Sequence, residues 1–138
     1  MEGRNLYQTT FFNLGVLILR LGLGIYLLRA SFSYLFEGKM EELTGFLTSL
    51  EWPMPELFAQ LSQWVEFISA ILILLGFRFG AFTMAFTLAI AVIFAHGGRI
   101  LEDGMLPFTL SLSSFALGFL GCGKFSLDFY MLKTNSKS

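Results

Sequence analysis

Residues 57–77 read LFAQLSQWVEFISAILILLGF. Apart from Gln60, Ser62, Gln63, Glu66 and Ser69, every residue in the run is apolar. A bilayer-crossing helix needs roughly 20 such residues, whereas a crossing strand needs about 9–11 with strict alternation. The run is too long for a strand and does not alternate, so it reads as a membrane-spanning helix.

Three similar runs lie on either side of it. Residues 12–36 are FNLGVLILRLGLGIYLLRASFSYLF, residues 79–96 are FGAFTMAFTLAIAVIFAH, and residues 105–121 are MLPFTLSLSSFALGFLG. The first is longer than a signal-peptide core and carries two arginines, so it is read as a retained span. The whole chain of 138 residues is 55% hydrophobic and only 14% charged. Its mean hydropathy is +0.70. A soluble domain of this size could not hide so much apolar surface. A disordered chain would need the opposite composition. A net charge of −1 gives no electrostatic footprint for nucleic acid. The expected fold class is therefore an all-α membrane protein, a four-transmembrane-helix bundle forming one domain over 1–138.

Between the first two spans, Met40, Leu43, Phe46, Leu47 and Leu50 recur at helical spacing among Glu41, Glu42, Thr44 and Thr48. Residues 40–50 are predicted to form an amphipathic interfacial helix. Trp52-Pro53 then turns the chain back, with Trp52 expected at headgroup depth. Residues 124–133, KFSLDFYMLK, form a second amphipathic segment, expected on the opposite surface. Arg78 and Gly80 mark a very short turn between the second and third spans, which forces antiparallel neighbours. Asp103 is placed to cap the fourth span, and Gly121 and Gly123 to close it.

Four spans put both termini on one side. That side holds Arg4, Arg78, Lys124, Lys133 and Lys137, against Lys39 and Arg99 opposite. The lysine and arginine bias predicts cytoplasmic termini.

The polar residues within the spans are the candidates for function. A charge at a helix centre costs about 2.5–3.5 kcal/mol on insertion scales, so it needs a partner or a purpose. At about 1.5 Å per residue, Arg20 and Glu66 fall at similar depths. Arg20 shares a face with Asn13, Leu17, Gly24, Leu27, Ser31 and Tyr34. Glu66 shares one with Ala59, Ser62, Gln63, Ser69 and Ala70. Small residues line the third span (Ala81, Ala85, Ala89, with His96) and the fourth (Ser111, Ser114, Gly118, Cys122), allowing close helix approach. Arg20, Glu66 and His96 are thus expected around one interior.

Two readings stand side by side. Arg20 and Glu66 could be a structural pair that clamps two helices, or with His96 they could bind a ligand or relay a proton. His96 could equally be a helix-end residue bonded to Glu102, Asp103 or water. Arg29, half a turn from Arg20, is expected to face headgroups, an outer-loop acid or a partner chain. Cys122, the single cysteine, is read as a packing residue. One cysteine and one histidine cannot make a disulfide, a bis-histidine haem or a His/Cys metal site, so no metal is expected.

In these features the chain resembles the DoxX family of small four-span membrane proteins. The resemblance covers about 12–130. It rests on LILRLGLGIYLL with Arg20, TSLEWPMP, WVEFISAILILLGFRFG with Glu66, IFAHGG with His96, and GCGKFSLD with Ser126 and Asp128. Ser31 and Tyr34 stand where the family often has Gly and Lys, and Cys122 replaces the proline of its final Gly-Pro-Gly.

The resemblance implies a prokaryotic plasma-membrane location and a link to redox or sulfur metabolism. The expectation is an accessory subunit that binds a quinone or another small apolar ligand, with a soluble redox enzyme as partner and a second copy of the chain as another candidate. The rival expectations are a proton-coupled small-molecule transporter or exporter working through Glu66, and a non-catalytic membrane scaffold.

Overall fold

The computed structural model describes residues 2–95, 104–121 and 123–135. Within them the chain is helical throughout, with turns between helices and no strand. The helices are α1 (Glu2–Phe36), α2 (Met40–Ser49), α3 (Pro55–Leu75), α4 (Arg78–Ile90), α5 (Met105–Leu120) and α6 (Leu127–Asn135). A π-helical turn, Ala91–Ala95, continues α4. Two segments, Thr9–Phe36 and Pro55–Leu75, are long and apolar enough to cross a membrane. Arg78–Phe94 and Met105–Leu120 are apolar but shorter.

α1 packs on α3 and α5, α3 on α4, and α4 on α5, so four helices enclose one core. Val16, Leu23, Leu27, Ala70, Ile73, Ala81, Met84, Leu88 and Leu117 fill it. The polar and small stripes of the sequence do face inward: Asn13, Arg20, Ser31, Gln63, Ser69, Ala81, Ala85, Ser111, Ser114 and Gly118 are all buried. Close approach is visible at Gly118, where an added Cβ would lie 2.9 Å from the Phe82 ring. Hydroxyls bridge helices as well. Ser111 donates to the Ala85 carbonyl at 2.8 Å, and the Ser69 and Thr83 hydroxyls lie 2.8 Å apart. Large apolar side chains cover the outside, among them Ile18, Ile25, Phe79, Phe86 and Phe119. Such a surface suits hydrocarbon and not water.

Three boundaries depart from the expected ones. α1 starts at Glu2, ten residues before the apolar run, and its 35 residues extend about 52 Å. Its first turns are polar, and after Gly3 they contain neither glycine nor proline until Gly15, so the helix continues unbroken into the apolar run. The tail segment begins with a turn over 124–126, and its helix runs from Leu127 to Asn135. The Ser126 hydroxyl accepts from Phe129 N–H and so caps that helix. α5 has Gly104 as its N-cap, without a side-chain cap. Asp103 and Cys122 lie outside the described residues.

The two ends of the core are closed differently. At one end α3 stops at Gly76 (φ +90°) in a Schellman turn, with Phe77 N–H bonded to the Leu72 carbonyl. The chain after α5 folds across this end. Asn13 Oδ1 accepts from Lys124 N–H at 3.0 Å, and Asp128 Oδ2 accepts from Arg78 N–H at 3.2 Å. At the other end α2 lies against the start of α3. Glu51 (φ 56°) and Met54 (φ 49°) flank Trp52-Pro53 in left-handed conformations that cost a side-chain-bearing residue energy. Pro55 opens α3 with its ring at the first helical position.

Candidate functional site

Arg20 and Glu66 are not brought together. The Arg20 side chain is 5% exposed, and its Nη2 donates to the Phe125 carbonyl at 2.9 Å. Its Nη1 lies beside Gly76 and Ser126, where a Cβ on Gly76 would come within 2.7 Å of it. Glu66 is ten residues before Gly76 on α3, about 15 Å away along the helix axis. The expected pair therefore fails on direction. Depth counted from the ends of the apolar runs gives the two residues similar levels, but the Phe125 carbonyl holds the guanidinium at the Gly76 end. Arg20 serves there as a tie between α1 and the turn after α5.

Arg29 faces outward, 62% exposed, and finds the acid Glu37 just after α1. Its Nη1 lies 2.9 Å from Glu37 and donates to Ser33 Oγ at 2.7 Å, and the Ser33 hydroxyl donates to Glu37 Oε2 at 2.7 Å. The Ser33 hydrogen bond, followed by the Arg29 guanidinium, holds the Glu37 carboxyl below its ordinary range. His96 lies outside the described residues.

Glu66 lines a cavity of about 310 Å³ between α2, α3 and the end of α4. Leu43 and Leu47 of α2 roof it, Phe58, Leu61 and Val65 form one wall, and Ile90 and Ala91 close it where the π-helical turn begins. Among the described residues Glu66 receives no hydrogen bond and no ion pair.

Two more polar groups meet the same space. Gln63 is 5% exposed, lines the cavity, and has its side-chain oxygen buried without a donor. Trp52 also lines it, with its indole N–H buried and without an acceptor. The Trp52 side chain is half-buried. It is held edge-on between Phe58 and Phe94, with ring centroids at 5.9 and 5.8 Å. Buried polar groups in folded proteins are almost always bonded, so two at one cavity, beside the half-buried Glu66 carboxyl, mark a place built for something else to bind.

A cleft of about 310 Å³ at the opposite end, lined by Asn13, Arg78, Lys124 and Asp128, differs in this respect. There the Asn13 and Asp128 oxygens already bond backbone N–H groups. Gln63 was legible in the sequence, one turn before Glu66 on the polar stripe. Trp52 was not, because its direction depends on the two left-handed residues around it. Among the described residues no cluster of three or more histidine, cysteine or acidic side chains could hold a metal ion.

An all-helical chain with an apolar exterior, spanning-length helices and an interior carboxyl beside a cavity is a membrane protein. The sequence pattern of the DoxX family matches residues 15–97. That match runs from within α1 through the π-helical turn, more than half of the chain, and the chain belongs to the DoxX family. Neither a curated protein nor a solved structure matches it.

Proposed function

We propose that this DoxX protein is a four-span plasma-membrane protein, with cytoplasmic termini and α2 at the membrane interface, that binds a small and mostly apolar ligand in the Glu66 cavity. A quinone-type molecule serving a membrane redox system is the class that fits first. The observation that carries the reading is the combination in one space of apolar walls with the unbonded side-chain groups of Trp52, Gln63 and Glu66. The walls would take a ring and tail, and the polar groups would fix the head. Glu66 could then give or take a proton at the bound head. Electrons would come from a partner, a soluble redox enzyme being the class considered.

Gentle purification followed by mass spectrometry tests this. A lipophilic molecule should be recovered in near-stoichiometric amount from the native chain and lost from Ser62→Phe, which fills the cavity. Equal recovery from both would sink the reading.

One observation favours a second reading. Glu66 faces the cavity without a counter-ion among the described residues, as a carboxyl that exchanges a proton for a substrate would. Proton-coupled uptake into vesicles, abolished by Glu66→Gln, would select the transporter.

A further inference from the structure

The hydrogen-bonding inventory of the cavity narrows the ligand beyond "small and apolar". Trp52 Nε1–H can only donate, and it is buried with no acceptor. Gln63 Oε1 can only accept, and it is buried with no donor. Both residues line the same 310 Å³ space. Neither bond is made by a neighbouring group in the structure. The Ser62 hydroxyl donates to the Ala59 carbonyl, and the Thr87 hydroxyl to the Thr83 carbonyl, so the two hydroxyls at the cavity have already placed their protons. The loop that sets Trp52 keeps two non-glycine residues, Glu51 and Met54, at positive φ. Such conformations persist where the surroundings enforce them, and they cluster at ligand clamps.

From these observations we infer that the ligand head carries a hydroxyl, accepting from Trp52 and donating to Gln63. The class is therefore phenolic or quinol-like and not carbonyl-only. The inference rests on the reading of the cavity as a ligand site. A hydroxyl is the smallest group that offers an acceptor and a donor from one atom. An ether or ketone in its place satisfies Trp52 and leaves Gln63 Oε1 buried and unmatched. Sites built to bond a hydroxyl discriminate strongly against analogues that lack it, because their own polar groups are then stranded.

The test uses three probes of nearly one shape: para-hexylphenol, which can donate and accept, para-hexylanisole, which can only accept, and hexylbenzene, which does neither. The full chain in lipid nanodiscs, with Trp64→Phe so that Trp52 is the one tryptophan, is titrated at equal probe mole fraction in the lipid. Trp52 fluorescence is the readout. The phenol should bind at least about tenfold more tightly than the anisole. Gln63→Leu should bring the two within about threefold, by weakening the phenol and sparing the anisole. Gln63→Met serves if the leucine variant does not fold.

Equal binding of phenol and anisole to the unsubstituted cavity would overturn the hydroxyl inference and leave the ligand site standing. An unchanged ratio in the Gln63 variants would overturn it too. If none of the three probes perturbs Trp52, the cavity is not a site for such ligands and both readings fall.

Discussion

Arg20 reaches across 105 residues of sequence to donate to the Phe125 carbonyl, and in doing so it points away from Glu66. The basic group of the first span is therefore part of the scaffold, while the acidic group of the second is left to the cavity. A hydrogen bond from a charged donor contributes about 1.5–3 kcal/mol. Arg20→Met should lower stability by that order and loosen the turn after α5. Glu66→Gln, with no bonded partner to lose, should stay within about 0.5 kcal/mol of the parent. In thermal unfolding of the purified protein, the double variant should show the sum of the two effects to within about 0.3–0.5 kcal/mol. Coupling well above that would mean the two side chains meet.

Gly76 sits where three elements converge. Its φ of +90° already disfavours a side chain, and an added Cβ would lie 2.5 Å from Ser126 Cβ and 2.7 Å from Arg20 Nη1. Gly22 is a contrasting helical glycine, with nothing within 4 Å of the point a methyl group would occupy. Gly76→Ala should destabilise by about 2 kcal/mol or more, from the left-handed backbone alone and then from the clash. Gly22→Ala should be neutral or stabilising by up to about 1 kcal/mol. Melting curves of the two variants measured side by side check this, and a reversed order would refute the packing at Gly76.

The helices and their inward faces were legible because they depend on local periodicity. Asn13, Arg20, Ser31, Gln63, Ser69 and Ser114 stand at helical spacings, and each is buried. What each polar group bonds to was not legible. The partner of Arg20 is a carbonyl in a turn, and carbonyls carry no sequence signal. The Asp128–Arg78 bond joins an acid to a backbone N–H, where the residue types alone would suggest an ion pair. Trp52 joins the cavity only because Glu51 and Met54 adopt conformations that their residue types disfavour. Side-chain chemistry placed the candidates on the correct helices, and backbone geometry decided which of them share a site.

The Arg29–Ser33–Glu37 chain predicts a pH signature at the end of α1. Because hydrogen bonds from Ser33 and Arg29 hold the Glu37 carboxyl below its ordinary range, the chain stabilises this helix end above the unfolded-state value. That contribution is lost as pH falls through the lower folded-state value. Carbon-detected NMR of labelled glutamate should place the Glu37 midpoint below the ordinary glutamate range. Ser33→Ala should move it up most, with Arg29→Gln next. The stability difference between Ser33→Ala and its parent should shrink once Glu37 is protonated in both. An unshifted midpoint in Ser33→Ala would show that the serine does not carry the chain.

The two surface helices lie at opposite ends of α3, and this makes the orientation testable. α2 packs by the start of α3, where Leu43 and Leu47 cover the Glu66 cavity. α6 follows directly on Ser126, which touches Gly76 at the end of α3. Five of the seven lysines and arginines outside the spans belong to the α6 side in the four-span reading, so that side should be cytoplasmic. In a Cys122→Ser background, Glu41→Cys on exposed α2 should react with a membrane-impermeant maleimide added to intact cells. Thr134→Cys on α6 should react only after permeabilisation. Labelling of Thr134→Cys in intact cells, with Glu41→Cys protected, would invert the protein. The inverted orientation would open the Glu66 cavity, which lies at the α2 end, toward the cytoplasm and toward a soluble redox partner there.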